Sequence, residues 1–443
     1  MKLKDKNVVV VGLGKSGMAA LQLLKQEGAN VCLYDGKTDL AVPEVEETVY
    51  LGMYPKEKFA KMDFAVFSPG VPMDIELADY FRVNNVPVIG EIELAYHVEK
   101  GKVIGITGTN GKTTTTTLVG EIMKAFNPNT YVVGNIGVPY TEMVEKTSSD
   151  SVTVAEISSF QLESIKKFAP KVSAILNITP DHLNRHKTME NYIRTKFDIS
   201  KNQGPDDVCV LNYEDLVLRE HAKDIPCKVV FFSSRTKLDK GVYLDDNGNF
   251  VWAETGKVLF NSKECNLLGE HNYENIMAAI LMTTAMGVPM DVIERVVKNF
   301  NAVEHRIEFV VEKNGVAYYN DSKGTNPDAA IKGVQSMNRK TVLIGGGYDK
   351  GGDFDEWIEA FGDKVSHLIL FGATKDRIAK TAKEHGFDQI IMVQDLKEAV
   401  DTASKLAKPG QAVLLSPACA SWDMFKSYEQ RGEMFKEFVK GLE

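Results

Sequence analysis

Residues 105 to 120, "GITGTNGKTTTTTLVG", hold the parts needed to grip a phosphate. Gly108, Asn110 and Gly111 allow a tight bend that turns backbone N–H groups toward an anion. Lys112 supplies a positive charge for the outer phosphates, and the Thr113 hydroxyl is a ligand for Mg²⁺. The spelling departs from the usual phosphate loop, which puts a glycine five residues before Gly111. That position is Ile106, and the neighbouring glycines are Gly105 and Gly108. The flanks are nevertheless right: "KVIGIT" reads as a strand and "KTTTTTLVGEIMKAF" as a helix. The missing glycine shortens the cradle and leaves its chemistry in place.

A second glycine loop lies near the N-terminus. "GLGKSG" (Gly12, Gly14, Gly17) falls between a strand and a helix, and Asp35 ends the next strand. This is the dinucleotide fingerprint, in which the helix N-terminus attracts a diphosphate; a tight turn with no ligand is the plainer reading. "SPG" (Ser68, Pro69, Gly70) ends another strand on the same sheet edge, where ligands bind. Two loops of different spelling point to two different phosphorylated ligands. Downstream, Glu156 ends a strand in "VTVAEISSFQLE", placed either to hold a metal on a triphosphate or as a surface carboxylate. Asp181, His182 and His186 cluster in "LNITPDHLNRH"; His182 reads equally as a structural residue and as a ligand.

The elements that must position these residues are short Val/Ile-rich runs alternating with helical stretches. That pattern predicts an α/β protein with mostly parallel sheets. Length agrees: 443 residues, at roughly 150 per domain, suggest three. The first block, 1–97, is a Rossmann-like domain carrying "NVVVVG", "NVCLYD", "FAVFSPGVP" and "VPVIG". The second, 98–302, resembles a phosphate-loop nucleotidase, with helices on both faces of "KVIGIT", "SVTVAEISS", "VSAILNIT", "VCVLN" and "KVVFFSS" and further helices around 272 to 300. The third, 303–443, is again Rossmann-like, with "KTVLIGGG", "HLILFGA", "QIIMV" and "AVLLSPA".

A net charge of −9 offers no broad cationic face for nucleic acid. Five scattered cysteines without Cys-x-x-Cys spacing suggest neither a zinc site nor a disulfide framework. The N-terminal apolar run reads as a buried strand rather than a secretion signal, and no apolar run reaches the ~18 residues that span a bilayer. The expectation is a cytoplasmic protein, working as a monomer.

The motifs in order resemble the ATP-dependent Mur ligases. "TGTNGKTT" matches that family's variant phosphate loop, and "AEISSFQLE", "NITPDHLNRH", "LLGEHNYENIMAA", "EHRIE", "NDSKGTNP" and "LSPACASWDMFKSYEQRGEMF" follow along the whole chain. "EISSFQLE" and "SPACASWDMFKSYEQRG" look most like the members that add D-glutamate. The resemblance implies an amide ligase of peptidoglycan synthesis, joining D-glutamate to UDP-N-acetylmuramoyl-L-alanine. The substrate carboxylate takes the γ-phosphoryl of ATP, and the amine attacks the acyl phosphate.

By the same resemblance, Gly14, Lys15, Ser16, Asp35, Gly36, Lys37, Gly70, Asn135 and Ser158 surround the UDP-sugar. The chain has Gly36-Lys37 where a relative has Thr-Arg, and a lysine cannot make the bidentate phosphate contact of arginine. Gly108, Thr109, Asn110, Gly111, Lys112, Thr113 and Thr114 take the ATP phosphates. Asn272, Asn275, His305, Arg306 and Asp321 take its base and ribose, between the second and third blocks; read alone, Asn272 is also a helix N-cap. Thr113 and Glu156 hold one Mg²⁺ and His182 a second. Lys196, on residue type alone an exposed helical lysine, becomes by resemblance a CO₂-derived carbamate that ligates metal. Lys112, Asn135, Glu156, His182 and Lys196 form the implied catalytic set. Lys323, Thr325, Lys350, Ser421, Trp422 and Tyr428 form the D-glutamate pocket, with Trp422 and Tyr428 keeping the apolar bulk of a relative's Leu and Phe. Closure of the third domain onto the second is the expected way to exclude water.

Other readings are a ligase of the same family with a different acceptor amino acid, an NAD oxidoreductase using only "GLGKSG", and a nucleotide-gated sensor. The oxidoreductase leaves "NGKTT", "AEISS" and "NITPDH" without purpose.

Overall fold

The computed structural model describes residues 2–442 except 42–43, 136, 302–303, 349–350 and 352. The chain forms two compact units, Met1–Ser262 with Glu274–Val297, and Lys263–Tyr273 with Lys298–Glu443. Three sheets, mostly parallel, run through them.

In the first unit, β1 (Asn7–Val11), β2 (Asn30–Asp35), β3 (Val49–Leu51), β4 (Phe64–Phe67) and β5 (Val88–Gly90) make a parallel sheet in the order β3-β2-β1-β4-β5. Val8 through Val11 are all buried, as a strand covered on both faces requires. The strand order turns back at β1, so the loop after it opens at the crevice where ligands bind to such sheets.

The second sheet has the same logic and more strands. It comprises β6 (Lys102–Thr107), β7 (Thr130–Gly134), β8 (Val152–Glu156), β9 (Val172–Ile175), β10 (Val208–Asn212), β11 (Lys228–Ser233), β12 (Val242–Leu244), β13 (Asn249–Trp252) and β14 (Lys257–Asn261). β6 lies between β8 and β9, so the residues that end those strands flank the loop that follows it. Three glutamates at the close of the first block fasten the helix Glu91–Val98 to this layer. Buried Glu91 accepts from the N–H and hydroxyl of Thr141, at 2.7 and 2.8 Å. Glu93 accepts the N–H groups of Lys166, Lys167 and Phe168 at 2.8–3.0 Å. Glu99 takes the hydroxyls of Tyr140 and Thr153. Each of these carboxylates thus takes hydrogen bonds from residues of the second layer, which holds the helix against it.

The second unit holds β15 (Glu308–Lys313), β16 (Val316–Asn320), β17 (Thr341–Gly345), β18 (Val365–Leu370), β19 (Ile390–Met392) and β20 (Ala412–Leu415), in the order β15-β16-β20-β17-β18-β19. Only β15 runs antiparallel, joined to β16 through Asn314 and Gly315, both at positive φ. That is the two-residue hairpin turn that Asn-Gly favours.

The expected strands are present. Sequence reading omitted β3, β7, the β12–β14 extension and the β15–β16 hairpin. Their strands are short or interrupted by polar residues, so alternation in them is weak, although Asn247-Gly248 and Asn314-Gly315 marked two of the turns. Among the described residues no helix is long and apolar enough to cross a membrane.

Candidate active site

The loop after β6 is bent by Gly108 (φ +154°) and Gly111 (φ +82°), and Gly111 caps the helix Lys112–Phe126. A side chain at Gly111 would put its Cβ 2.4 Å from Asn275 Oδ1, so only glycine fits beneath that amide. Asn275 Oδ1 also accepts from the Thr115 hydroxyl at 3.1 Å, which fixes it against the first helical turn.

The far side of the loop is clamped by Asn177, just past β9. Its Oδ1 accepts the Asn110 N–H at 2.8 Å, its Nδ2 donates to the Asn110 carbonyl at 3.1 Å, and its own carbonyl accepts the Thr109 N–H. This corrects one detail of the expected cradle: the N–H of Asn110 faces Asn177 rather than inward. The anion-facing donors therefore begin at the helix N-terminus, whose first-turn N–H groups have no intrahelical acceptor. The Thr109 hydroxyl contacts the Thr179 carbonyl and the Tyr192 hydroxyl, at 3.1 and 3.0 Å.

Two lysines converge on this loop. Lys112 Nζ donates to the carbonyls of Gly108 and Thr109, at 2.8 and 2.7 Å. Lys196 Nζ donates to the same Gly108 carbonyl at 2.8 Å and lies 4.8 Å above the Tyr192 ring. Lys196 is only 2% exposed, which overturns its reading as a surface helical lysine. Burial, reinforced by the nearby Lys112 ammonium, holds its amine well below the usual lysine range.

Glu156 ends β8 and is likewise buried, so its reading as a surface carboxylate fails. Its Oε1 accepts from Asn135 Nδ2 at 2.8 Å, while Oε2 is buried with no hydrogen-bond partner among the described residues. A carboxylate oxygen in that state, on the residue that ends the β6–β8 pairing, has the chemistry of a divalent-cation ligand. His182 is half exposed at φ +51°, with its Nε2 3.4 Å from Asp181 and its ring 4.9 Å from that of Phe160. His186 is buried instead, bonded to Ser159 at 2.9 Å, and so takes the structural part.

The first glycine loop opens on a cleft of about 620 Å³. Gly14, Lys15, Ser16, Asp35, Gly36, Lys37, Gly70 and Asn135 all line it. Asp35 braces its mouth, accepting the N–H groups of Leu13 and Lys37 at 3.1 and 3.0 Å. Lys15 Nζ donates to the Gly137 carbonyl across the cleft at 2.6 Å. Ser158 does not line the cleft. It caps the helix Ser159–Leu162 in a reciprocal box with Gln161, and Gln161 reaches the cleft in its place.

In the second unit, Lys323 Nζ donates to the Tyr428 hydroxyl at 3.0 Å, and Thr325 N–H returns to the Lys323 carbonyl. Buried Arg431 ties this segment to the one bearing Ser421: it donates to the Ser322 hydroxyl and carbonyl and to the carbonyls of Cys419 and Ala420. Ser421 is buried, whereas Trp422 is 63% exposed beside Tyr348. Asp321 is buried with Ser416 donating to it at 2.7 Å, and burial pushes its carboxyl up to about 7. His305, at φ +65°, meets Asn320 Nδ2 at 3.0 Å. Asp321 ranks Arg306 among the cations that counter its burial. Asn272 is not an N-cap: the helix begins at Glu270, and Asn272 Nδ2 donates back to the Leu268 carbonyl at 2.7 Å. Lys350 lies outside the described residues. Asn177, Tyr192, Gln161 and Arg431 were not singled out in the sequence, although Asn177 opens the motif "NITPDH".

Comparison with known proteins covers the same ground. The Mur ligase MurD-like N-terminal domain matches residues 6–90, the Mur ligase middle domain 106–283, and the Mur ligase glutamate ligase domain 305–419. The UDP-N-acetylmuramoylalanine–D-glutamate ligase of Lachnoclostridium phytofermentans is 52% identical, aligned over 100% of this chain and 99% of its own. That of Lachnospira eligens is 53% identical over the full length of both. Among solved structures, the UDP-N-acetylmuramate–alanine ligase of Thermotoga maritima superposes with TM-score 0.61 at 18% identity, covering 98% of this chain and 99% of that one. The MurF ligase of the same organism, solved with ADP, gives 0.60 at 18%, over 99% and 96%. At such identities these structures speak for the fold alone. This chain belongs to the Mur ligase family.

Proposed function

We propose that the protein is the ATP-dependent amide ligase that joins D-glutamate to UDP-N-acetylmuramoyl-L-alanine in the cytoplasm, releasing ADP and phosphate. The observation that carries this reading is the full-length match, at 52 and 53% identity, to two proteins named for that activity. Its domains are 1–97 for the UDP-sugar, 98–302 for ATP, and 303–443 for the amino acid and part of ATP.

The chemistry asks two anions, a triphosphate and a carboxylate, to meet, so positive charge must stand between them. The cleft after β1 takes the UDP group, with the helix N-terminus at Lys15 facing the diphosphate and Asp35 bracing the loop. Asn135 belongs to this cleft and also bonds Glu156, which supports a substrate whose sugar-peptide end lies toward the phosphate loop. Lys112 leaves the Gly108 and Thr109 carbonyls to neutralise the γ-phosphate as it transfers. Asn275 and Asn177 hold the loop while it does so.

Glu156 Oε2, buried and without a hydrogen-bond donor, fits a Mg²⁺ ligand, which Thr113 would share, with His182 for a second ion. Bound there, Mg²⁺ would neutralise part of the charge on the two reacting anions. CO₂ reacts only with the neutral amine, and burial shifts Lys196 toward that form. Carbamylation of Lys196 would turn a cation into an anionic oxygen ligand while leaving one N–H for the Gly108 carbonyl.

In the second unit, Lys323, Thr325, Ser421, Trp422 and Tyr428, with Lys350, take D-glutamate, whose two carboxylates call for cations and hydroxyls. Asn272, His305, Arg306 and Asp321 take the nucleoside of ATP.

Phosphate release from ATP, measured with UDP-N-acetylmuramoyl-L-alanine and each of D-glutamate, L-alanine, L-lysine and diaminopimelate, tests the assignment. D-Glutamate alone should drive turnover; equal or faster release with another acceptor would reassign the enzyme within its family.

A further inference from the structure

We infer that Arg185 is a positioning residue that transmits occupancy of the UDP-sugar cleft to the loop carrying His182. The inference rests on the functional reading above and concerns a side chain outside it.

Arg185 is almost enclosed, its side chain 12% exposed. Its Nε donates to both oxygens of Glu163, each at 3.2 Å, and its Nη2 to Glu163 Oε2 at 2.7 Å. The same Nη2 donates to the Val71 carbonyl at 3.0 Å. Val71 follows Gly70 in the wall of the first cleft. The guanidinium plane also lies 4.8 Å from the Phe160 ring centroid, and Phe160 is the ring against which His182 rests. Glu163 and Phe160 share the segment that follows Glu156, and Glu163 Oε1 lies 3.5 Å from His186 Nδ1. One side chain therefore touches the wall of the UDP-sugar cleft, the segment after the metal-type carboxylate, and the support of the half-exposed His182.

Arginine is suited to this because its rigid fork makes bidentate contacts and its flat face stacks at the same time. A half-exposed histidine at a left-handed φ takes its direction from what it leans on. A shift of Val71 when ligand fills the cleft passes through Arg185 to Phe160, and so to His182. A displacement of about 1 Å at a reacting group is enough to cost about a hundredfold in rate. The link also gives an order to events: the loop is set when the UDP end of the substrate has bound. The neighbouring Lys187–Asp74 pair joins the same two segments at 3.5 Å, but both side chains are largely exposed and contribute little.

The test uses the full chain and UDP in metal-free buffer, a probe that fills the cleft and has no acyl group to reach His182. In the wild-type protein, UDP should slow amide hydrogen exchange in peptides covering 68–72 and also in those covering 180–187. Arg185→Lys keeps a cation beside Glu163 and loses the fork. In it UDP should still protect 68–72 but no longer 180–187, and kcat should fall about tenfold or more while KM for the UDP-sugar stays within about threefold. Protection of both peptides in the variant, of neither distal peptide in the wild type, or an unchanged kcat would each overturn the inference. Should Arg185→Lys unfold early, Phe160→Leu replaces it: kcat should fall about tenfold while KM for the UDP-sugar stays within about threefold, and an undiminished kcat again overturns the inference. Wild-type protein that binds UDP yet releases no phosphate in response to D-glutamate would instead remove the functional reading.

Discussion

The two glycine loops are built on one plan and differ in what surrounds them. Each follows a strand with a parallel neighbour on both sides and opens a helix, at Lys15 in one case and Lys112 in the other. Around the first, the charged groups stand in an open cleft: Lys15 reaches one carbonyl across it, and Asp35 braces the backbone. Around the second, the charged groups are crowded, and Lys196 and Glu156 are buried. Lys112 and Lys196 share the Gly108 carbonyl, and Glu156 keeps one oxygen without a donor. On the proposed reading the first holds a ligand, and the second gathers unfavourable electrostatics that an incoming triphosphate and its metal would relieve. A fold motif shared by both loops says phosphate, and burial says which phosphate reacts.

Removing charge from the second loop should therefore be far more damaging than removing it from the first. Lys112→Ala is expected to lower kcat by about a thousandfold or more in the phosphate-release assay, since it deletes charge placed for the transferring group. Lys196→Ala should cost about a hundredfold at fixed ATP, and added bicarbonate or chloride should restore part of that loss by entering the vacated anion position. Unaltered turnover in this variant would remove the carbamate from the account.

The contrast extends to the second unit through Asp321. Its carboxyl, ordinarily titrating near 4, is pushed up to about 7 by burial. The folded protein thus keeps a proton that the unfolded chain releases between pH 4 and 7. Stability from this group is complete below about 4 and is lost as pH rises through 7, by an order of about 4 kcal/mol. Thermal melts of the ligand-free protein from pH 5 to 8 should show Tm falling with pH, and Asp321→Asn should flatten that slope. The smallest effect is expected at the open loop, where Lys15→Ala should raise KM for the UDP-sugar about tenfold or less and leave kcat nearly unchanged. A fall in kcat as large as that of Lys112→Ala would erase the distinction between the loops.

Much of this was legible in the residues, and the exceptions share a cause. The strands around both loops are continuous apolar runs, and glycine spacing marks the turns, so fold class and loop positions follow from local pattern. Lys196 was not legible: on a helix with Met189 and Tyr192 it reads as a surface lysine, and its burial comes from the loop of a strand some 90 residues earlier closing over it. Asn177 was missed for the same reason, since its clamp on Asn110 spans 67 residues and leaves no mark in either motif. Ser158 shows the converse. The motif drew attention to the serine, whereas its own cap turns it away and presents Gln161. Arg185 stood inside a quoted motif, and only the meeting of Val71, Phe160 and Glu163 gives it a part.

The central claim is that the loop after β6 brings a γ-phosphoryl and a sugar-peptide carboxylate together to form an acyl phosphate. UDP-N-acetylmuramoyl-L-alanine labelled with ¹⁸O in its alanyl carboxylate, turned over with ATP and D-glutamate, tests it most directly. One labelled oxygen should appear in each inorganic phosphate released. Phosphate carrying no label would mean that the carboxylate never attacked, and the mechanism would fall.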